Sequence, residues 1–250
     1  MTPSTSKAPD ASDACSSTAQ PWLSALWRRC VTLFPLKLVG NMAATVGFFP
    51  LYFWIMKNAG QARVLPLTAV DHLIAFWPAL LPVYLSLWGY IALPVLLAKD
   101  KRELWRFSFG CAAMTALALL VFWFMPTAIP NFTVDAAPGT SLQFLKMVDS
   151  AGNAFPSLHV SFSVFACVVL ARQLREVGAP AWLRIVNVAW AAGIVYSTMA
   201  VRQHVLIDVM GGFALGVALG VATRQRTPAS VAAQDTQDAQ DAQVTKTRPA

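Results

Sequence analysis

The chain has 250 residues, 56 % of them hydrophobic and only 12 % charged, with a mean hydropathy of +0.53 and a formal net charge of +7. That charge share is about half the ~25 % of a soluble domain and would cover a soluble globule's surface poorly. A soluble enzyme, a disordered chain and a collagen-like chain are thereby excluded, leaving an all-α polytopic membrane protein.

In chain order, residues 1–20 are rich in Ser, Thr, Ala and Asp and show no periodicity. With no basic start before a short apolar core, they are not expected to form a signal peptide. Six apolar runs follow, at about 38–56, 73–98, 104–125, 156–171, 183–201 and 205–223. A spanning helix needs ~20 apolar residues to cross ~30 Å of hydrocarbon, so six transmembrane helices are predicted. Pro78, Pro82 and Pro94 predict a kinked or tilted second span. Pro156 suits the first turn of the fourth, where its missing N–H has no intrahelical partner. Residues 227–250 contain the low-complexity repeat AQDTQDAQDAQ. The expected organisation is a disordered cytoplasmic segment at 1–30, a six-helix membrane domain at 31–224 and a disordered cytoplasmic tail at 225–250.

The basic residues set the orientation. With both termini cytoplasmic, fifteen lysines and arginines fall inside and four (Lys57, Arg63, Lys146 and Arg202) fall outside. The 126–155 and 202–204 connections then face outward. The +7 charge reads as topology, and no nucleic-acid partner is expected. Cys15, Cys30, Cys111 and Cys167 are too far apart in sequence to suggest a metal clip or redox pair, and Cys111 and Cys167 read as small residues buried in apolar runs. Trp54, Trp77 and Trp123 fit interfacial belts, and Gly211, Gly212, Gly216 and Gly220 fit close helix packing.

The three histidines, His72, His159 and His204, all fall at or near predicted outer ends of runs. Asp208 is the only acidic residue well inside an apolar run, and an ionisable group there costs a few kcal/mol without a partner. His204 lies four residues earlier, on the same helix face. Asp208 can thus accept from one ring nitrogen of His204, fixing its tautomer and leaving the other nitrogen free and more basic. Ser157 and His159 begin the fourth run on the same side of the membrane. The helix N-terminus there suits a phosphate, and Ser157 adds a hydroxyl donor. Arg202 is the only cation near either motif, and its fork matches phosphate oxygens. This set describes phosphoryl transfer with two histidine roles, one attacking phosphorus and one protonating the leaving oxygen. Asp71 and His72, at the outer start of the second run, read as a solvated helix cap or as lining of the substrate cleft. No nucleotide loop and no metal-ligand cluster is present, and the mechanism calls for no metal and no cofactor.

At these residues, over about 40–222, the chain resembles the type 2 phosphatidic acid phosphatase and haloperoxidase superfamily. Its second motif, Pro-Ser-Gly-His, corresponds to Pro156-Ser157-Leu158-His159. Its third, Ser-Arg, five residues, His, three residues, Asp, corresponds to Ser197-Thr198, His204 and Asp208 at matching spacing. The resemblance implies that His204 forms a phosphohistidine, Asp208 orients it and His159 protonates the leaving group. It also implies that Ser157 binds phosphoryl oxygens, with Ser197 and Arg202 as further phosphate-binding candidates.

Leu158 replaces the motif glycine and Thr198 the motif arginine, for which Arg202 can stand in if a helix continues through 198–202. Lys99 to Arg106 has the spacing of the family's first motif but falls on the cytoplasmic side and reads as positive-inside anchoring. The outer end of the third run, 126–131, carries no basic residue, so the first motif reads as degenerate or absent. These departures resemble the branch of inositol phosphorylceramide synthases and related lipid phosphotransferases. The expected function is that of a membrane lipid phosphatase on a lipid phosphate or pyrophosphate. A lipid phosphotransferase is the alternative, and a non-catalytic lipid-binding or transport protein a third reading. The expected partners are this substrate and membrane lipids. The expected location is a bacterial inner membrane, with the active site on the periplasmic face.

Overall fold

The computed structural model of the chain describes residues 21–130 and 153–224. The expected disordered tails at 1–20 and 225–250, and most of the 126–155 connection, lie outside the described residues. In chain order the elements are α1 (Pro21–Val31), α2 (Phe34–Asn58), β1 (Arg63–Val64), α3 (Ala69–Leu73), a 3-10 turn (Pro78–Leu80), α4 (Leu81–Leu85) and α5 (Leu87–Leu96). They continue with α6 (Lys101–Phe124), β2 (Thr127–Ala128), α7 (Leu158–Glu176), α8 (Ala181–Ala200) and α9 (Leu206–Ala222). β1 and β2 form a short parallel pair, with Arg63 opposite Thr127 and Val64 opposite Ala128.

Five stretches are long and apolar enough to cross a membrane: Phe34–Asn58, Pro78–Leu96, Lys101–Phe124, Leu158–Glu176 and Ala181–Ala200. Six were expected. The sixth, α9, is apolar but has 17 residues, about 26 Å at ~1.5 Å per residue. It starts late because the chain after α8 is spent on the turn that carries His204.

Two further expectations are corrected and one is met. Residues 21–30, expected within the disordered segment, lie in α1, because Trp22, Leu26 and Cys30 recur on one face and pack against the core. The kink expected in the second span is present: the 3-10 turn, α4 and α5 follow one another within Pro78–Leu96, with Pro78 and Pro82 each at the start of a piece and Pro94 inside α5. Pro156 lies before α7 rather than in its first turn. Ser157 takes the N-cap, its hydroxyl accepting from the Val160 N–H at 3.3 Å.

The centre of the bundle is α7, packed against α5, α6, α8 and α9. Phe165 is fully buried and stacks on Phe107 with ring centroids 5.1 Å apart. Along α9, Gly212, Gly216 and Gly220 face α7 at every fourth position, the expected small-residue stripe. A Cβ at Gly216 would lie 2.6 Å from the Ser161 carbonyl oxygen and 2.9 Å from the Val164 Cβ. Gly216→Val is therefore expected to force α7 and α9 apart at a cost of about 1–3 kcal/mol. That loss should show as a melting temperature several degrees lower in detergent; an unchanged melting curve would contradict the packing.

The bundle has two distinct ends. At one, Glu176 closes α7 and pairs with Arg29 at 2.9 Å and Lys99 at 2.8 Å. Lys37 donates there to the Arg29 and Leu96 carbonyls. Exposed Trp27, Trp105 and Trp182 ring this end. The other end holds the starts of α7 and α9, and Trp54 stacks there on Trp123 with rings 5.4 Å apart. Lys99, which opens the Lys99–Arg106 stretch, is thus a helix length, about 28 Å along α7, from the α7 N-terminus.

Candidate active site

His204 sits in the turn between α8 and α9, and Asp208 in the first turn of α9. The hydrogen bond expected from their spacing is present, Nδ1 of His204 to Oδ2 of Asp208 at 2.8 Å. The other oxygen of Asp208 accepts the Val205 N–H at 2.8 Å. One fully buried carboxylate thereby caps α9 and aims the histidine. The turn itself is closed from α8: the Thr198 carbonyl accepts the N–H of Gln203 at 3.0 Å and of His204 at 3.1 Å. Thr198, which stands where the family motif has arginine, therefore contributes a backbone oxygen that sets the histidine loop.

His159 reaches the same place from the first turn of α7. Its ring stacks on Tyr84 with centroids 4.0 Å apart and meets the edge of Trp88 at 6.1 Å. The ring of His204 is 6.3 Å away, centroid to centroid. The two starts are stitched together because the Ser157 N–H donates to the Asp208 carbonyl at 3.1 Å. The third histidine, His72, is exposed and stands apart from this pair.

Arg202 is placed differently from the sequence expectation. α8 ends at Ala200, so 198 and 202 do not share a helix face. Arg202 is left-handed (φ +59°), a conformation costing a non-glycine residue on the order of 1–3 kcal/mol unless its surroundings hold it. Its guanidinium donates to the carbonyls of Asp71 (3.0 Å) and Ile74 (2.7 Å). This fork ties α3 to the histidine loop. Ser197 is also fully buried, its hydroxyl donating to the Ile194 carbonyl at 2.7 Å within α8.

Asp71 plays a part that sequence reasoning only half found. It caps α3, accepting from the Thr68 N–H and hydroxyl at 2.7 Å each. It is also buried, at 3 % exposure, and its second oxygen accepts the Leu206 N–H of α9 at 2.8 Å. Burial opposes its ionisation, but the bonds from Thr68 and Leu206 and the nearby Arg202 charge outweigh this and hold its carboxyl below the usual value. A lowered folded-state pKa means that this tether is in force above the ordinary aspartate range. It is lost only as pH falls through the depressed value.

Both histidines line one cavity of about 170 Å³. Its walls are mainly aromatic: Phe48, Tyr52 and Phe53 from α2, Trp88 from α5 and Phe122 from α6. No lysine or arginine lines it among the described residues.

Compared with known proteins, the chain matches the sequence model of the PAP2 superfamily over residues 103–231, slightly more than half its length. That span takes in α6 to α9, and with them both histidines and Asp208. No curated protein and no solved structure matches the chain.

Proposed function

The chain belongs to the PAP2 superfamily, and from that premise we propose that it is an integral membrane phosphatase acting on a lipid phosphate or pyrophosphate through a phosphohistidine. The superfamily spans phosphatases and lipid phosphotransferases, so an enzyme of phosphate esters is the common ground. The observation that carries the reading is the pair of histidines 6.3 Å apart in one aromatic-walled cavity, one of them held through Nδ1 by a buried carboxylate.

In this mechanism Nε2 of His204 attacks phosphorus and the bond to the leaving oxygen breaks. Protonated His159 gives its proton to that oxygen. His159, now neutral, takes a proton from water as the water oxygen attacks phosphorus. The P–N bond breaks and phosphate leaves. Asp208 holds the Nδ1 proton of His204 throughout and stabilises the charge that forms on the ring. Arg202 and Asp71 position the histidine loop by clamping it to α3, while Ser157 holds the α7 start beside the reacting group. The aromatic walls lie within the apolar helices, where a lipid chain can occupy them without leaving hydrocarbon. The inside excess of basic residues supports an active site on the outer, periplasmic face of a bacterial inner membrane.

A second reading is transfer to a lipid or sugar hydroxyl, as by an inositol phosphorylceramide synthase-like enzyme. It is favoured by the lack of a lysine or arginine lining the cavity among the described residues. A phosphodiester, with one negative charge, needs less neutralisation than a monoester dianion.

The purified protein is expected to release phosphate from phosphatidic acid or an isoprenoid pyrophosphate. Adding a lipid alcohol acceptor separates the two readings: a new phosphate monoester of that alcohol, formed at the expense of free phosphate, marks transfer, and unchanged phosphate release marks hydrolysis. Neither release nor transfer from any lipid phosphate would reject the enzymatic reading.

A further inference from the structure

Asn153 precedes α7 by a few residues and lines the same cavity as the two histidines. The residue is only 5 % exposed, and among the described residues neither carboxamide atom has a hydrogen-bond partner. An unpaired buried amide is costly, and each such group in a folded protein calls for an explanation. Backbone conformation does not supply it. Asn153 is left-handed (φ +72°), which asparagine tolerates, but glycine would serve there as well and bury no polar atom. Nor is the segment loose. The Ala154 N–H donates to the Thr127 carbonyl at 3.0 Å and the Phe155 N–H to the Thr127 hydroxyl at 2.9 Å. Asn153 is therefore held by its neighbours' backbone bonds at the wall of a cavity that also holds the start of α7, whose first amides have no intrahelical acceptor. His159 Nε2, in the same cavity, is likewise buried without a partner.

We propose that the Asn153 carboxamide is a phosphoryl-binding group, its Nδ2–H donating to a non-bridging oxygen beside the first amides of α7. The assignment rests on the phosphoryl-transfer reading of this cavity. It accounts for a site in which Thr198 replaces the motif arginine and Arg202 is turned towards α3. A neutral donor in a cavity walled by aromatic side chains bonds an anionic oxygen strongly, and does so without a buried cation.

Two substitutions keep the left-handed backbone. Asn153→Gly deletes the carboxamide, and Asn153→Asp replaces it with a carboxylate of the same shape that repels an anion. The full-length protein in detergent is titrated with orthovanadate and with inorganic phosphate, read by the shift in melting temperature. KM and kcat are measured on a lipid phosphate. Wild type is expected to bind both anions. Asn153→Gly should raise the half-saturating concentration and KM about 10–100-fold with a smaller change in kcat. Asn153→Asp should abolish binding, and the unliganded variant should still unfold in one cooperative transition, at a lower temperature because its carboxylate is buried without a partner.

Wild-type affinity in both variants overturns the assignment, as does failure of the wild type to bind either anion. The two readings fail separately. Anion binding that the variants lose, in a wild type without turnover, would sink the enzymatic reading and leave the anion site standing. Turnover with unchanged KM in both variants would do the reverse.

Discussion

His204→Ala is expected to remove turnover of lipid phosphates by about 10⁴-fold or more, the scale of losing a covalent nucleophile. His204 has one nitrogen bonded to Asp208, so the proposed attack falls to Nε2 alone. Alanine leaves no group that can form the P–N bond, and the residual rate is direct attack by water. The fold should survive, because the turn is closed by backbone bonds from Gln203 and His204 to Thr198 that alanine keeps. Rapid quenching with radiolabelled substrate should trap an acid-labile, alkali-stable phosphoprotein in wild type and none in the variant. His159→Ala should behave differently. Its loss is about 10²–10⁴-fold, the scale of a general acid. It should largely vanish, in the first step, for an ester whose leaving oxygen needs no proton. Undiminished turnover by His204→Ala would refute the mechanism.

Asp208→Asn is the second large effect, expected to lower kcat by about 10⁴-fold, the scale seen when a histidine is forced into the wrong tautomer. Asp208 has two jobs, one per oxygen: capping α9 through the Val205 N–H and holding Nδ1 of His204. Asparagine keeps the first, since its carbonyl can still accept from Val205. It reverses the second, because its amide donates to Nδ1 and so moves the ring proton to Nε2, where the lone pair is needed. Stability should stay near wild type, whereas Asp208→Ala also loses the cap, at a cost of about 0.5–2 kcal/mol. Comparing kcat and melting temperature for the two variants separates orientation from capping. An asparagine variant within tenfold of wild-type kcat would mean that Asp208 only caps.

The helix pair at the site was legible because its signals are local. A histidine and an aspartate four apart at the start of an apolar run are expected to meet on one helix face; they do pair, but with His204 in the turn before α9 and only Asp208 on the helix. The glycines at 212, 216 and 220 mark a close packing face by spacing alone. The placement of Lys99–Arg106 away from the histidines followed from counting basic residues per connection, and Glu176 holds Lys99 at the far end of α7.

Arg202 shows where such reasoning stops. Its pairing with position 198 required a helix running through both, but α8 ends at Ala200 and Arg202 turns left-handed towards carbonyls of α3. Asp71 is the same case from the other side. Its cap on α3 is a local pattern, but its bond to Leu206 joins segments far apart in sequence and has no signature in either. Asn153 opens the Asn-Ala-Phe-Pro-Ser-Leu-His stretch that resembles the phosphotransferase branch, but the stretch assigns it no role until its carboxamide is seen buried and unpartnered.

By itself, the sequence determined the membrane class, most of the helices and the spacing of His204 and Asp208. Hydrophobic runs and i,i+4 geometry depend only on neighbours along the chain. The tertiary structure decided that His159 meets His204, that aromatic side chains from α2, α5 and α6 wall their cavity, and that Arg202 and Asp71 serve as a clamp on the histidine loop. Those relations depend on how close the glycine face of α9 lets α7 come, and on which carbonyls and amides remain unpaired once the helices have packed.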